Sequence, residues 1–142
     1  NFRRQRQMCI RDSIDPGSRR VSGFIDFGDM IRAPLVFDVA IATAYLRTED
    51  TAPLRLIAPF VAGYCSVQPL EHVELSLLFD LVRARLATTI TLLYWRLCAR
   101  DKDDPYRQKT LDREVGASAF LAALDRLGRT AFLDELGQTL RR

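Results

Sequence analysis

The sequence is poor in the residues that build metal clusters and covalent cross-links. A single histidine, His72, accompanies three widely separated cysteines, Cys9, Cys65 and Cys98, with no Cys-x-x-Cys pair. That pattern excludes a zinc ribbon or finger and argues against a disulfide framework. Reduced thiols in a cytoplasmic protein are the expectation. Long apolar runs are lacking as well. The longest, residues 86–98, is interrupted by Thr88, Thr89, Thr91 and Arg96 and falls short of the roughly 20 residues that a membrane helix requires. No charged stretch followed by an apolar run opens the chain, so a secretory leader is not expected.

What is present suits one globular domain, or one lobe of a larger one: 142 residues, 48% hydrophobic and 27% charged. The net charge of +3 resides in the first 13 residues, where Arg3, Arg4, Arg6 and Arg11 accompany Asp12. The remainder is neutral, which weighs against a nucleic-acid surface. Residues 8–13, MCIRDS, equal one reading frame of a transposase end sequence used to prepare sequencing libraries. Residues 1–13 are therefore expected to be adapter-derived or disordered, and residues 14–142 to form the interrupted domain proper.

Hydrophobic periodicity gives a short strand and then helices. "DPGSRR" is a turn, and "VSGFID" (residues 21–26) alternates as the second arm of a hairpin. Pro34 opens a helix whose stripe is Leu35, Val39, Ala42 and Leu46. A second helix over residues 53–67 places Leu56, Phe60 and Gly63 or Tyr64 in register. A third follows Pro69, with Leu75, Leu78, Phe79, Val82, Leu86 and Leu93 at helical spacing. Its apolar stretch 87–97 predicts a central helix with Tyr94 and Trp95 in the core. After a charged loop at 100–106, helices over 111–127 and 131–140 are separated by Gly128. The expected class is α+β, mostly helical, with a short β-hairpin at its start. One strand cannot satisfy its own backbone groups, so partner strands are required.

The residues that suggest chemistry are "IDFGD", where Asp26 and Asp29 flank Phe27 and Gly28 at the end of the strand. Asp and Gly alone are ordinary turn formers. The longer stretches "GFIDFGDMIRAPLVFDVAIATAYL", "APFVAGYCSVQPLEHVELSLLFDLVRARLATTITLLYWR" and "DPYR" are more specific. From residue 21 onward they resemble the C-terminal lobe of the aminoglycoside phosphotransferase and choline kinase-like superfamily. Within it they are most similar to hydroxylysine kinases and to phosphotransferase domains fused to class III aminotransferases.

The resemblance implies a protein-kinase-like fold and Mg²⁺-dependent transfer of the terminal phosphoryl of ATP or GTP to a hydroxyl on a small amine-bearing substrate. It implies Asp26 as the metal ligand, Phe27 and Gly28 as cofactor-binding residues, and Asp29 as a catalytic assistant to metal or substrate. Asp38, a carboxylate inside an apolar helix, would brace the site structurally. A class III aminotransferase domain would be a fused partner in the intact protein, with no nucleic-acid or membrane partner. One of Arg83 and Arg85 could meet an anionic substrate group, although a solvated or ion-paired face is the favoured reading for both. His72, among Glu71 and Glu74, reads as a surface residue.

The chain departs from the superfamily in lacking a His-x-Asp-x-x-x-x-Asn catalytic loop, of which Asn1 could be only the last residue, and in lacking a glycine-rich nucleotide loop and its strand lysine. This piece alone is expected to be inactive. The alternatives are an antibiotic phosphotransferase of the same superfamily and a non-catalytic helical interaction module.

Overall fold

The computed structural model describes residues 4–7, 11–14, 21–25, 31–46, 52–99, 101, 103, 104 and 106–141. Short antiparallel strand pairs come first, and helices make up the rest. Strands β2 (Arg11–Ile14) and β3 (Val21–Ile25) pair from Arg11 opposite Ile25 to Ile14 opposite Val21, with an irregularity between Ser13 and Ile14. Around that hairpin, β1 (Arg4–Gln7) pairs with β4 (Ile31–Pro34), Arg4 opposite Pro34 and Gln7 opposite Ile31. One pairing is nested inside the other. β3 thereby gains the partner that its backbone groups demand.

Pro34 caps α1 (Leu35–Tyr45) with φ −56°, the value its ring imposes and a helix start accepts. Leu35, Val36, Val39, Ala40, Thr43 and Ala44 are buried. Ala42 is only half-buried and Leu46 lies just past the helix end, so the expected stripe is replaced by a wider arc. The cause is packing on several neighbours, α3, α2 and the β1–β4 strand pair, rather than one. In α2 (Leu54–Val67) the buried residues are Leu54, Ile57, Ala58 and Val61, whereas Leu56 is exposed. The buried residues recur at 54, 57, 58 and 61 while Arg55, Pro59, Gly63 and Ser66 are exposed, so the helix is amphipathic and its inward face lies about one residue around from the expected one.

The longest element, α3 (His72–Cys98), starts with a capping box: the Glu71 amide donates to Glu74 Oε2 at 2.8 Å, and the Glu71 side chain accepts in return from the Glu74 backbone. Leu78, Phe79, Val82, Leu86, Leu93 and Leu97 form its buried line. Tyr94 and Trp95 are not core residues; they are 64% and 66% exposed. At the level of those turns α3 buries one stripe only, and positions 94 and 95 lie about 100° and 200° around the helix from Leu93. His72 is exposed, as expected.

Helix α4 (Tyr106–Leu127) begins five residues before the expected 111, where the Asp104 carboxylate accepts the Tyr106 amide at 2.7 Å. This is a side-chain oxygen meeting one of the orphan donors of a first turn. Gly128, at φ 78°, separates α4 from α5 (Arg129–Leu140), and its amide donates to the Leu124 carbonyl at 3.0 Å. The core forms where α3 meets α1, α4 and α5, and where α5 meets α2. Ile57, Val61, Val82, Leu86, Leu124 and Phe132 are completely or almost completely enclosed there. The Phe79 and Phe132 rings tilt against each other at 59° with centroids 5.3 Å apart.

Candidate functional site

Asp26, Phe27, Gly28 and Asp29 lie outside the described residues. What is described is the frame on either side of them. β3 ends at Ile25, paired with Arg11, and β4 begins at Ile31, paired with Gln7. Each end of the intervening segment is held by its own ladder, and β4 runs directly into α1. Among the described residues no group of three or more His, Cys, Asp or Glu side chains could hold a metal ion.

Asp38 is the described member of the expected set. It sits in the first turn of α1, half-buried. Burial pushes its carboxyl above the usual carboxylate range, because the charged form loses hydration there. Seven residues further along the same helix is Tyr45. That separation is close to two turns, which puts the two residues on one face of α1 about 10 Å apart along its axis.

Tyr45 marks the start of a cavity of about 470 Å³ between α1, α3 and α4. Arg85, Thr89, Leu92 and Arg96 line it from α3 at spacings of four, three and four residues, a single helical face, with Leu93 beside them. Arg113 enters from α4. Arg85 donates from Nη2 to the Tyr45 hydroxyl at 3.0 Å, and its guanidinium lies 5.8 Å from the centroid of that ring. Arg83 faces elsewhere: its Nε donates to Asp125 Oδ1 at 2.6 Å, and its guanidinium stacks over Phe79. The alternatives open for the two arginines are thus divided between them. The sequence does contain the 85, 89, 92, 96 spacing, but nothing local in it brings Tyr45 and Arg113 to the same place.

Residues 13–76 match the model of the phosphotransferase enzyme family. Over those residues the chain is similar to that family. That segment runs from β2 to the first turns of α3 and contains Asp26, Asp29, Asp38 and Tyr45. Curated relatives agree with it. The chain is 32% identical to the hydroxylysine kinase of Danio rerio over 91 residues, which is 64% of this chain and 26% of that one. It is 41% identical to the hydroxylysine kinase of Mus musculus over 76 residues, or 54% and 20%, and 31% identical to that of Xenopus laevis over 102 residues, or 68% and 27%. The chain therefore spans a fifth to about a quarter of the length of these curated relatives. No solved structure matches it. None of the described helices is long and apolar enough to cross a membrane.

Proposed function

We propose that the chain is the mostly helical C-terminal lobe of a kinase-like small-molecule phosphotransferase, acting in the cytoplasm on a hydroxyl of an amine-bearing acceptor of the hydroxylysine type. The observation that carries the reading is the phosphotransferase-family match over residues 13–76, together with relatives named as hydroxylysine kinases. The transition state of phosphoryl transfer spreads charge over the transferring oxygens, and catalysis consists mainly of positioning and neutralisation. Carboxylate oxygens are hard donors and suit Mg²⁺, which accepts one or two of them. Asp26 is the proposed ligand, with Asp29 supporting the metal or the acceptor amine. Bound there, the metal would offset charge on the phosphates of ATP or GTP.

Phe27 and Gly28 shape the turn between the two carboxylates, and Asp38 supports it from α1. The catalytic base and the nucleotide lobe belong to the rest of the protein in this reading, and so does a class III aminotransferase domain. Residues 1–13 are read as adapter-derived although residues 4–7 and 11–13 pair with β4 and β3, and sequencing the gene across this junction with another library chemistry tests that reading.

The deciding experiment compares the full-length protein with its Asp26→Ala variant in transfer from ATP or GTP to hydroxylysine, to amino alcohols and to an aminoglycoside. Loss of roughly 100- to 1000-fold in kcat, with unchanged thermal unfolding, is the expected outcome. Equal turnover by both proteins would overturn the role of Asp26, and absence of transfer to any acceptor would favour an interaction module.

A further inference from the structure

The cavity between α1, α3 and α4 has a composition that calls for an anion. The guanidinium groups of Arg85 and Arg96 line it together with the Tyr45 hydroxyl and with Arg113, which has an interaction of its own, and no carboxylate is among its described lining residues. Arg85 and Arg96 make no ion pair with any described residue, whereas Arg83 and Arg129 on the other faces of the bundle each have an aspartate, Asp125 and Asp80. The Arg85 Nε is fully buried and has no hydrogen-bond partner among the described residues. Like charges converging on a shared concavity raise its potential and attract counter-charge.

The geometry limits which anion fits. Guanidinium groups present a planar fork that suits the two oxygens of a carboxylate. The wall beside them is aliphatic, from Leu92 and Leu93, and would accommodate a methylene chain rather than a second charged group. The volume of about 470 Å³ leaves room for a molecule of amino-acid size without selecting for that size. We infer that this cavity is a binding site for the carboxylate of a small amino acid, with Arg85 and Arg96 as its charge partners and the Tyr45 hydroxyl orienting Arg85. Combined with the proposed phosphotransferase activity, on which the identity of the acceptor rests, it makes the acceptor a hydroxylated amino acid and not a simple amino alcohol. The carboxylate is the handle by which the two would be told apart.

The test uses the full-length protein, its Arg96→Gln and Arg85→Lys variants, and two probes: hydroxylysine and the diamino alcohol left when its carboxyl group is removed. Binding is followed by calorimetry without nucleotide, so that it does not depend on turnover, and folding of each variant is checked by circular dichroism and thermal unfolding. Hydroxylysine should bind at least about tenfold more tightly than the decarboxylated probe, and Arg96→Gln should reduce that preference about tenfold. Arg85→Lys keeps the charge but loses the fork, and should weaken hydroxylysine selectively. Equal binding of the two probes, or a preference unaffected in both folded variants, would overturn the site. So would inorganic phosphate displacing hydroxylysine at a lower concentration than acetate does, because the anion recognised would then be a phosphate. Selective binding of hydroxylysine without phosphate transfer by the unmodified protein would sustain the site and overturn the phosphotransferase reading instead.

Discussion

Arg85 holds Tyr45 in two ways at once, through a 3.0 Å hydrogen bond to its hydroxyl and through a guanidinium 5.8 Å from the centre of its ring. The pair ties the last turn of α1 to the middle of α3. It also divides one side chain between two tasks, since a guanidinium fixed by a neighbour is already aimed when a ligand arrives.

Replacing Tyr45 by Phe removes the hydrogen bond and keeps the ring. Because Tyr45 is largely exposed, the expected loss is about 0.5 kcal/mol, at the low end for a side-chain hydrogen bond. Tyr45→Ala should lose about 0.5–1 kcal/mol more through the cation–π contact. Urea unfolding of the three proteins measures both steps. A Tyr45→Phe protein as unstable as Tyr45→Ala would show that the ring contact contributes nothing.

Asp38 predicts a pH dependence of unusual sign for a carboxylate. Its folded pKa lies above the ordinary value because of burial, so the folded state binds a proton more readily than the unfolded state does. Its contribution is most favourable below the unfolded pKa. It declines as pH rises through the window up to the raised folded value, and stays at its least favourable above that window. Asp38→Asn removes the titration, so its stability relative to the parent should rise across that window and then level off. Denaturant titrations at several pH values, from acid to neutral, test this; a difference that is flat or falls with pH contradicts it.

The two glycines Gly63 and Gly128 should respond to alanine in opposite directions. Neither added Cβ would meet an atom within 4 Å, so the effect is conformational alone. Gly63 lies inside α2, where alanine reduces the entropy of the unfolded chain and should stabilise by about 0.5–1 kcal/mol. Gly128 has φ 78° and ψ 157°, a region essentially confined to glycine that costs an L-residue roughly 1–3 kcal/mol. Gly128→Ala should lower Tm and Gly63→Ala should raise it; thermal scans that move both in one direction would refute the contrast.

The succession of helices was legible because strong punctuation bounds them: Pro34 before α1, Pro69 before α3 and Gly128 between α4 and α5. The faces were less legible. In α2 the inward face is Leu54, Ile57, Ala58 and Val61 rather than the expected line through Leu56, and in the last turns of α3 an abundance of apolar residues made Tyr94 and Trp95 read as interior although they face outward. Packing partners decide these questions, and they come from segments 40 or so residues away, beyond any local period. The acidic pair Asp26 and Asp29 was visible as a motif because its residues lie three positions apart in the chain. The cavity was not, because Tyr45, Arg85 and Arg113 converge only through the docking of three helices.

Helix α3 is some 40 Å long at the usual rise per residue, yet it is not equally supported along its length. Leu78, Phe79, Val82 and Leu86 stand where several helices converge, with the Arg129 guanidinium bonded to the Ser76 carbonyl nearby. Toward Cys98 the helix exposes Leu92, Tyr94 and Trp95, and its support reduces to Leu93, Leu97 and the hydrogen bond from Arg107 to the Leu97 carbonyl. Amide exchange should therefore be slow in the first half and faster in the second, dividing one continuous helix into two cooperative units. The lining residues from Arg85 to Arg96 begin at that division and extend into the less protected half. A molecule seated there would act as a splint, and its occupancy could be read from the exchange rates of the last three turns.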